Sequence, residues 1–577
     1  MWQFPVPLPA NSLVVGLYEL VTIETLNDDI LLNIFHHNLV AAPRCWPTLA
    51  SVCQRWRQIV LTHPVVLNLR LHCTHGTPVL KALDCWLSLP IIVKYGGVPN
   101  LDPPAPEDNS NIVAALKQSG RVSSVSLTIT GSLIENLSGI SEPLSELEEL
   151  ILLTLDDILL TLPAGFRWGS RLRTLHVTRI AIPSLPLLLS PSQDLIDIQL
   201  HEIPGAGFFP AEEFADALSG MAQLQSLTFH LLSFPRRRSY LTLPPLSGGR
   251  VVLPALTHLK YRGTSKYLDS LVARIDAPHL EDVDITFFSQ PTIDAQQLGG
   301  FIERIEMYRS FSHAEVKNSA NAISITFADS NATTHPSLRL QISCKQLDWQ
   351  LSSMAQVCNS LSPFPLRVSD LDIDMTKLSS GNDDPTGERW LELVRSFSGA
   401  RNVSVAGELT VATDILCALC PGDGRFTTDT TVLPILQNLR VRMPSSVNWQ
   451  FQEAVTSFIT SRQLSGRPVD LRFLCHICDI SFTRQQGLKK HLVDQHAYRI
   501  MCSYCDDFER EEGYNHVFRD HLESKHPEVA YNDELSSNPG YTPPLSPELE
   551  GFVNRHSSLR ASITIEPSTA TTEPHFR

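Results

Sequence analysis

From about residue 120 the chain keeps returning to one short alternation of apolar and polar residues. That rhythm restricts the fold more than any other feature of the sequence. It reads V-S-S-V-S-L at Val122, L-E-E-L-I-L at Leu147, L-R-T-L-H-V at Leu172 and L-I-D-I-Q-L at Leu195. It recurs as L-Q-S-L-T-F at Leu224, L-T-H-L-K-Y at Leu256 and L-E-D-V-D-I at Leu280, with starts 23 to 32 residues apart. Each segment is one short strand whose apolar side cannot be buried alone, so neighbours must stack and cover one another. Fainter returns stand at Leu371 (L-D-I-D), Val403 (V-S-V) and Leu436 (L-Q-N-L-R-V). Leu298–Phe311 and Trp390–Ser396, between or just before these returns, carry helical patterning. The expectation is an α/β array over residues 67–467, with a separate α/β domain after residue 300 as the alternative.

The spacing is similar to that of the leucine-rich repeat family, whose period is about 20–29 residues. The Asn that this family places three residues past the last strand position is absent, and Leu155, Ile180, Ile203 and Leu232 stand there instead. Apolar packing is therefore expected in place of an Asn ladder. The resemblance implies a degenerate curved solenoid whose concave face carries Arg173, His176, Gln225, Thr228, His258, Lys260, Glu281 and Asp284. Their mixed charge selects neither an acidic nor a basic partner.

Upstream, residues 22–66 read as short helices. Asn27, Asp28 and Asp29 offer helix-starting side chains, and Leu26, Ile30, Leu31, Ile34 and Phe35 follow at helical spacing. A second stretch opens at Trp46 and places Leu49, Val52, Cys53, Trp56, Ile59 and Val60 on a helical pattern. The combination L-x-x-x-I-L-x-x-I-F and W-x-x-L-x-x-V-C-x-x-W-R-x-I-V resembles the F-box family in its fungal form. By that resemblance the hairpin would dock on the adaptor subunit of a Skp–cullin–F-box ubiquitin ligase. Leu26, Ile30, Leu31, Ile34, Val52 and Trp56 would be divided between contact with that partner and the hairpin's own packing. A helical hairpin that merely caps the next domain is the plainer reading.

Near the other end, Cys475 and Cys478 are followed by His491 and His496. A tight turn brings two thiolates together while a helix places two imidazoles on one face, the ligand set of a tetrahedral zinc ion. Phe473, Phe482 and Leu488 supply a small apolar core. Spacing and core resemble the two-Cys, two-His zinc-finger family. Metal binding of roughly 10–16 kcal/mol supplies the stability that so small a unit lacks. A second set, Cys502, Cys505, His521 and His526, repeats the ligand order with a longer middle, and His516 is a rival ligand. Residues 468–530 thus form two zinc-finger-like units, with Zn2+ as the expected cofactor. Cys417 and Cys420 lack matching partners and read as small apolar residues near a helix end.

The first finger would present Arg484, Gly487 and Lys490 at the base-reading positions of its family. Three observations oppose DNA binding. The joining segment A-Y-R-I-M does not resemble the usual linker, and one finger reads only about three base pairs. Asp506, Asp507, Glu509, Glu511, Glu512, Asp520 and Glu523 would also repel phosphates. The net charge of −15 points the same way. A zinc-finger nucleic-acid-binding protein is therefore the second functional reading.

The N-terminal extension 1–21 is broken by prolines and has no basic residue ahead of its apolar stretch, a poor signal peptide. No window approaches a membrane span. Thiolate zinc sites suit a reducing compartment, so a cytoplasmic or nuclear location is expected. The tail 531–577 is too poor in apolar residues to fold and should be disordered. Neither a nucleophile elbow, a phosphate loop, a His-Glu-x-x-His helix nor a dinucleotide turn is present. The sequence therefore reads as a non-catalytic adaptor that contacts a substrate protein through repeats and fingers, with no membrane partner.

Overall fold

The computed structural model describes residues 23–501, apart from interior stretches of which the longest are 97–105, 233–248, 330–336, 376–386, 420–431 and 492–498. It also describes Glu509, Arg510 and residues 564–566. The chain divides into two compact units, residues 1–180 and 181–577, both mixed α/β.

The first unit begins with three helices, α1 (Asp28–Ala41), α2 (Trp46–Val52) and α3 (Gln54–Thr62). Asn27 caps α1, its side-chain oxygen accepting the N–H of Ile30 at 2.8 Å. Five strands then pair in parallel and in chain order: β1 (Leu71–Cys73), β2 (Ile91–Tyr95), β3 (Val122–Thr128), β4 (Glu149–Leu153) and β5 (Thr174–Thr178). Parallel neighbours need a crossover connection. Helices α4 (Val79–Cys85), α5 (Pro106–Leu116) and α6 (Gly131–Leu137) lie on the first three of them. The helical hairpin is fastened to this sheet by Trp46. Its indole N–H donates to the Arg70 carbonyl at 2.9 Å, and its ring meets Trp86 edge-on at 4.9 Å.

In the second unit β6 (Asp197–Ile203), β7 (Ser226–Leu231), β8 (His258–Gly263) and β9 (Asp282–Phe288) again pair in parallel and in order. The next three strands are β10 (His313–Ser319), β11 (Ala322–Ala328) and β12 (Ser337–Ser343). They enter in reverse, so that β9 pairs with β12, β12 with β11 and β11 with β10. Both pairings of β11 are antiparallel, a local meander inside a parallel sheet. Parallel order resumes with β13 (Asp370–Met375), β14 (Asn402–Gly407), β15 (Asn438–Met443) and β16 (Asp470–Cys475). One sheet therefore runs from residue 197 to residue 475 without a break at residue 300. Its helices include α7 (Leu185–Leu189), α8 (Ala211–Leu218), α9 (Ser265–Val272) and α10 (Gln296–Arg304). These are followed by α11 (Leu347–Ser360), α12 (Gly387–Arg395), α13 (Leu409–Leu419) and α14 (Trp449–Leu464).

All seven alternating segments and the three fainter returns are strands of these sheets. The leading Leu of six segments lies two residues before its strand and is buried, as Leu147, Leu172 and Leu195 illustrate. Replacement of the Asn ladder by apolar packing holds at Ile180 and Ile203, which are buried. It fails at Leu155 and Leu232, which are exposed. A different ladder exists instead. Asn438 donates its side-chain N–H to Asn402 and Asn402 to Asp370, each at 2.7 Å, across the starts of three parallel strands.

Candidate metal centre and exposed surfaces

The segment that carries Cys475, Cys478 and His491 grows out of the sheet rather than standing apart from it. Strand β16 pairs in register with β15 from Asp470 opposite Asn438 to Cys475 opposite Met443. Its other side takes the short strand β17 (Ser481–Phe482), antiparallel, with Phe473 opposite Phe482. The Cys475 N–H donates to the Ile480 carbonyl at 3.0 Å, closing the turn that carries Cys478. Cys475 is buried and Cys478 exposed. After that turn Gly487, Leu488, Lys490 and His491 are helical. Leu488 and Phe473 are buried, and the His491 ring lies 5.0 Å from the half-buried Phe482 ring.

This framework brings Cys475, Cys478 and His491 together, with one donor atom from each within 4.8 Å of the others. The Cys478 sulfur lies 3.1 Å from His491 Nε2. Metal–sulfur bonds of about 2.3 Å and metal–nitrogen bonds of about 2.0–2.1 Å put tetrahedral donors roughly 3.6–3.8 Å apart. The three donors fit such a shell after small adjustments. Two sulfurs and an imidazole nitrogen are the donor set preferred by zinc. His496, the fourth ligand expected from sequence, lies outside the described residues. So do Cys502, Cys505, His521 and His526 of the second set, its rival His516, and the extension 1–21 and nearly all of the tail. Cys417 sits in the last turn of α13, where burial, with Asp414 and Glu453 behind it, pushes its thiol upward in pKa. Among the described residues, Cys475, Cys478 and His491 form the one such cluster. Of the residues expected at base-reading positions, Arg484 and Lys490 are exposed and Gly487 is half-buried.

The helical hairpin separates two roles that its sequence leaves mixed. Leu31, Phe35 and Leu39 form the buried stripe of α1. Phe35 meets the half-buried Trp56 edge-on at 4.7 Å. Leu31 is 0% exposed and belongs to packing, whereas Ile30 at 46%, Ile34 at 44% and Val52 at 57% face outward. Leu26 is half-buried, and its carbonyl accepts from Arg55 at 2.6 Å. Arg55 also pairs with Asp28 at 2.6 Å, tying the start of α1 to α3.

Arg173, Gln225 and Glu281 stand one residue ahead of their strands and are exposed; on the strands themselves His258 and Lys260 are exposed, and His176 and Asp284 half-buried. Thr228 is buried. A recess of about 440 Å3, which the sequence reading did not identify, lies over β10, β11, β13, β14 and β15 and is lined by His313, Glu315, Asp370, Asp372, Asn402 and Arg440 among others. The signal was available, since D-L-D-I-D at Asp370 puts three carboxylates on one face. Burial raises the Asp372 pKa, with Glu315 and Asp370 adding to the effect and His313, 3.8 Å away, opposing it. Further along, the His201 and His230 Nδ1 atoms lie 3.3 Å apart. Burial, then His201, Arg262 and Lys260, push His230 down to about 4.

No family model matches this chain, and a search of curated proteins also gives no match. Among the described residues no helix is long and apolar enough to cross a membrane.

Proposed function

We propose that the chain is a non-catalytic substrate adaptor of a Skp–cullin–F-box type ubiquitin ligase. One observation carries the proposal: the apolar residues of α1 split into a packed stripe and an outward pair. Leu31, Phe35 and Leu39 serve the hairpin's own core, while Ile30 and Ile34, four residues apart, remain exposed with Val52 of α2. Ile30 and Ile34, one helical turn apart, put neighbouring apolar side chains on the exposed side of so small a unit, which favours a protein contact. In this reading they meet the ligase adaptor subunit, as the F-box resemblance implies.

The parallel strands with intervening helices form a degenerate leucine-rich-repeat solenoid in this account, and its strand face holds the substrate protein. Zinc at Cys475, Cys478, His491 and His496 closes the C-terminal edge, with a second zinc at the following Cys and His set. The nucleic-acid reading is weaker. The finger's first strand is committed to the sheet through β15, and the chain as a whole carries a net charge of −15. Such an adaptor works in the cytoplasm or nucleus.

The test is retention of purified ligase adaptor subunit by the full-length chain. Stable retention that disappears with Ile34→Asp is expected. Failure of the folded wild-type chain to retain the adaptor removes the ligase reading. Salt-sensitive DNA binding by the same zinc-loaded chain would move the weight to the second reading.

A further inference from the structure

Strand β16 belongs to two structures at once. All six of its residues pair in register with β15, the last parallel ladder of the described sheet. Its final residue, Cys475, is also a donor in the metal cluster. The outer side of β16 is covered at Phe473 and Leu474 by β17, which has two residues. So short a return strand has no stability of its own. Nor does a core of Phe473, Phe482 and Leu488 bury enough surface to hold it.

We infer that metal occupancy locks this edge of the sheet, so that ion binding at the cluster and the integrity of β15 and β16 are thermodynamically linked. An ion that binds only the folded arrangement stabilises whatever must be folded to present the donors. Here that is β16 itself, because Cys475 reaches the cluster only as the end of a paired strand. The Cys475 N–H bond to Ile480 fixes the turn from the same strand. Without the ion, hydrogen-bond contacts such as that between Cys478 Sγ and His491 Nε2 at 3.1 Å hold the donors far less firmly than metal bonds would. The turn then opens, β17 leaves, and β16 frays from its Cys475 end towards Asp470. Strands deeper in the same unit, such as β8, are paired on both sides and keep their protection. The inference rests on the metal assignment of the cluster and is independent of the ligase reading.

Hydrogen exchange of the full-length chain, read by mass spectrometry with zinc and after chelation, tests the link. Cobalt loading, followed by its thiolate absorption, reports site occupancy separately. Chelation should speed exchange at residues 438–443 and 470–475 by at least about tenfold while 258–263 stay unchanged, and zinc should reverse the effect. Cys478→Ser, a near-isosteric change at an exposed turn residue, should reproduce the chelated pattern in the presence of zinc. Cobalt binding with unchanged exchange at 438–443 and 470–475 overturns the lock alone. No cobalt binding overturns the metal assignment with it. A uniform rise in exchange through 258–263 also contradicts a local lock.

Discussion

Met443 and Cys475 stand opposite each other as the final in-register pair of β15 and β16, and Cys475 is at the same time part of the candidate metal cluster. The repeat rhythm and the Cys/His motif, read from sequence as neighbouring regions meeting at 467/468, share a strand. The small core of Phe473, Phe482 and Leu488 is thus continued by the last pair of strands rather than standing alone. This relationship favours a clasp over an independent nucleic-acid reader.

The metal assignment makes a selective prediction. His491→Asn and Cys478→Ser should each lower zinc content measured on the purified chain, while Cys417→Ser leaves it unchanged. Cys417 lies in α13 with its thiol pKa raised, which favours the protonated form over the thiolate a metal requires. Equal zinc loss from all three variants would show that thiols in general hold the metal.

A second prediction separates packing from contact in the hairpin. Leu31→Ala removes a fully buried side chain and should cost about 2–5 kcal/mol of stability in the unit that contains it. Ile34→Ala changes an exposed position and should stay within about 0.5 kcal/mol. Thermal melts of both variants decide the point, and a large loss from Ile34→Ala would place that residue in the core.

The ladder across β13, β14 and β15 predicts the worth of a polar residue in this sheet. Asn402 donates to Asp370 and accepts from Asn438, both at 2.7 Å. Asn402→Ala breaks both bonds and should cost about 1–2 kcal/mol, read from urea unfolding. An unchanged midpoint would mean that water satisfies these groups equally well.

Acid should weaken the second unit partly through His230. Its pKa falls from 6.5 to about 4 in the fold, chiefly by burial. The folded state therefore resists the proton that the unfolded chain accepts. Its contribution is intact above the unfolded value and is lost as pH falls from about 6.5 towards 4. The buried carboxylates with raised pKa, such as Asp269 and Asp372, act in the opposite sense as they protonate. Comparison with His230→Asn isolates the imidazole. The variant should lose less stability than the parent between pH 7 and pH 4.5, and parallel curves would contradict the assignment.

Much of this architecture was legible because a strand with one buried side repeats with period two, and Leu147, Leu172 and Leu195 mark where each one starts. The meander of β10, β11 and β12 was not. Its strands alternate just as the others do, but their reversed order depends on pairings that no local pattern encodes. The short strands Leu71–Cys73 and Ile91–Tyr95 were missed because they lie before the rhythm establishes itself. At the candidate metal centre the spacing pointed to Cys475, Cys478 and His491, which the fold brings together, whereas the fusion of Asp470–Cys475 to the sheet required the pairing itself. In the hairpin, periodicity located the apolar residues of α1 but could not divide Leu31 from Ile34. Both sit on a broad apolar face, and only packing of α1 against its neighbours, α3 among them, decides which points inward.

Native mass spectrometry of the full-length chain mixed with the ligase adaptor subunit decides whether the chain is an adaptor of that ligase. A one-to-one complex that carries zinc is expected, with an Ile34→Asp chain that keeps its zinc and loses the partner. A folded, zinc-loaded chain that forms no complex with the adaptor subunit would contradict a role in that ligase.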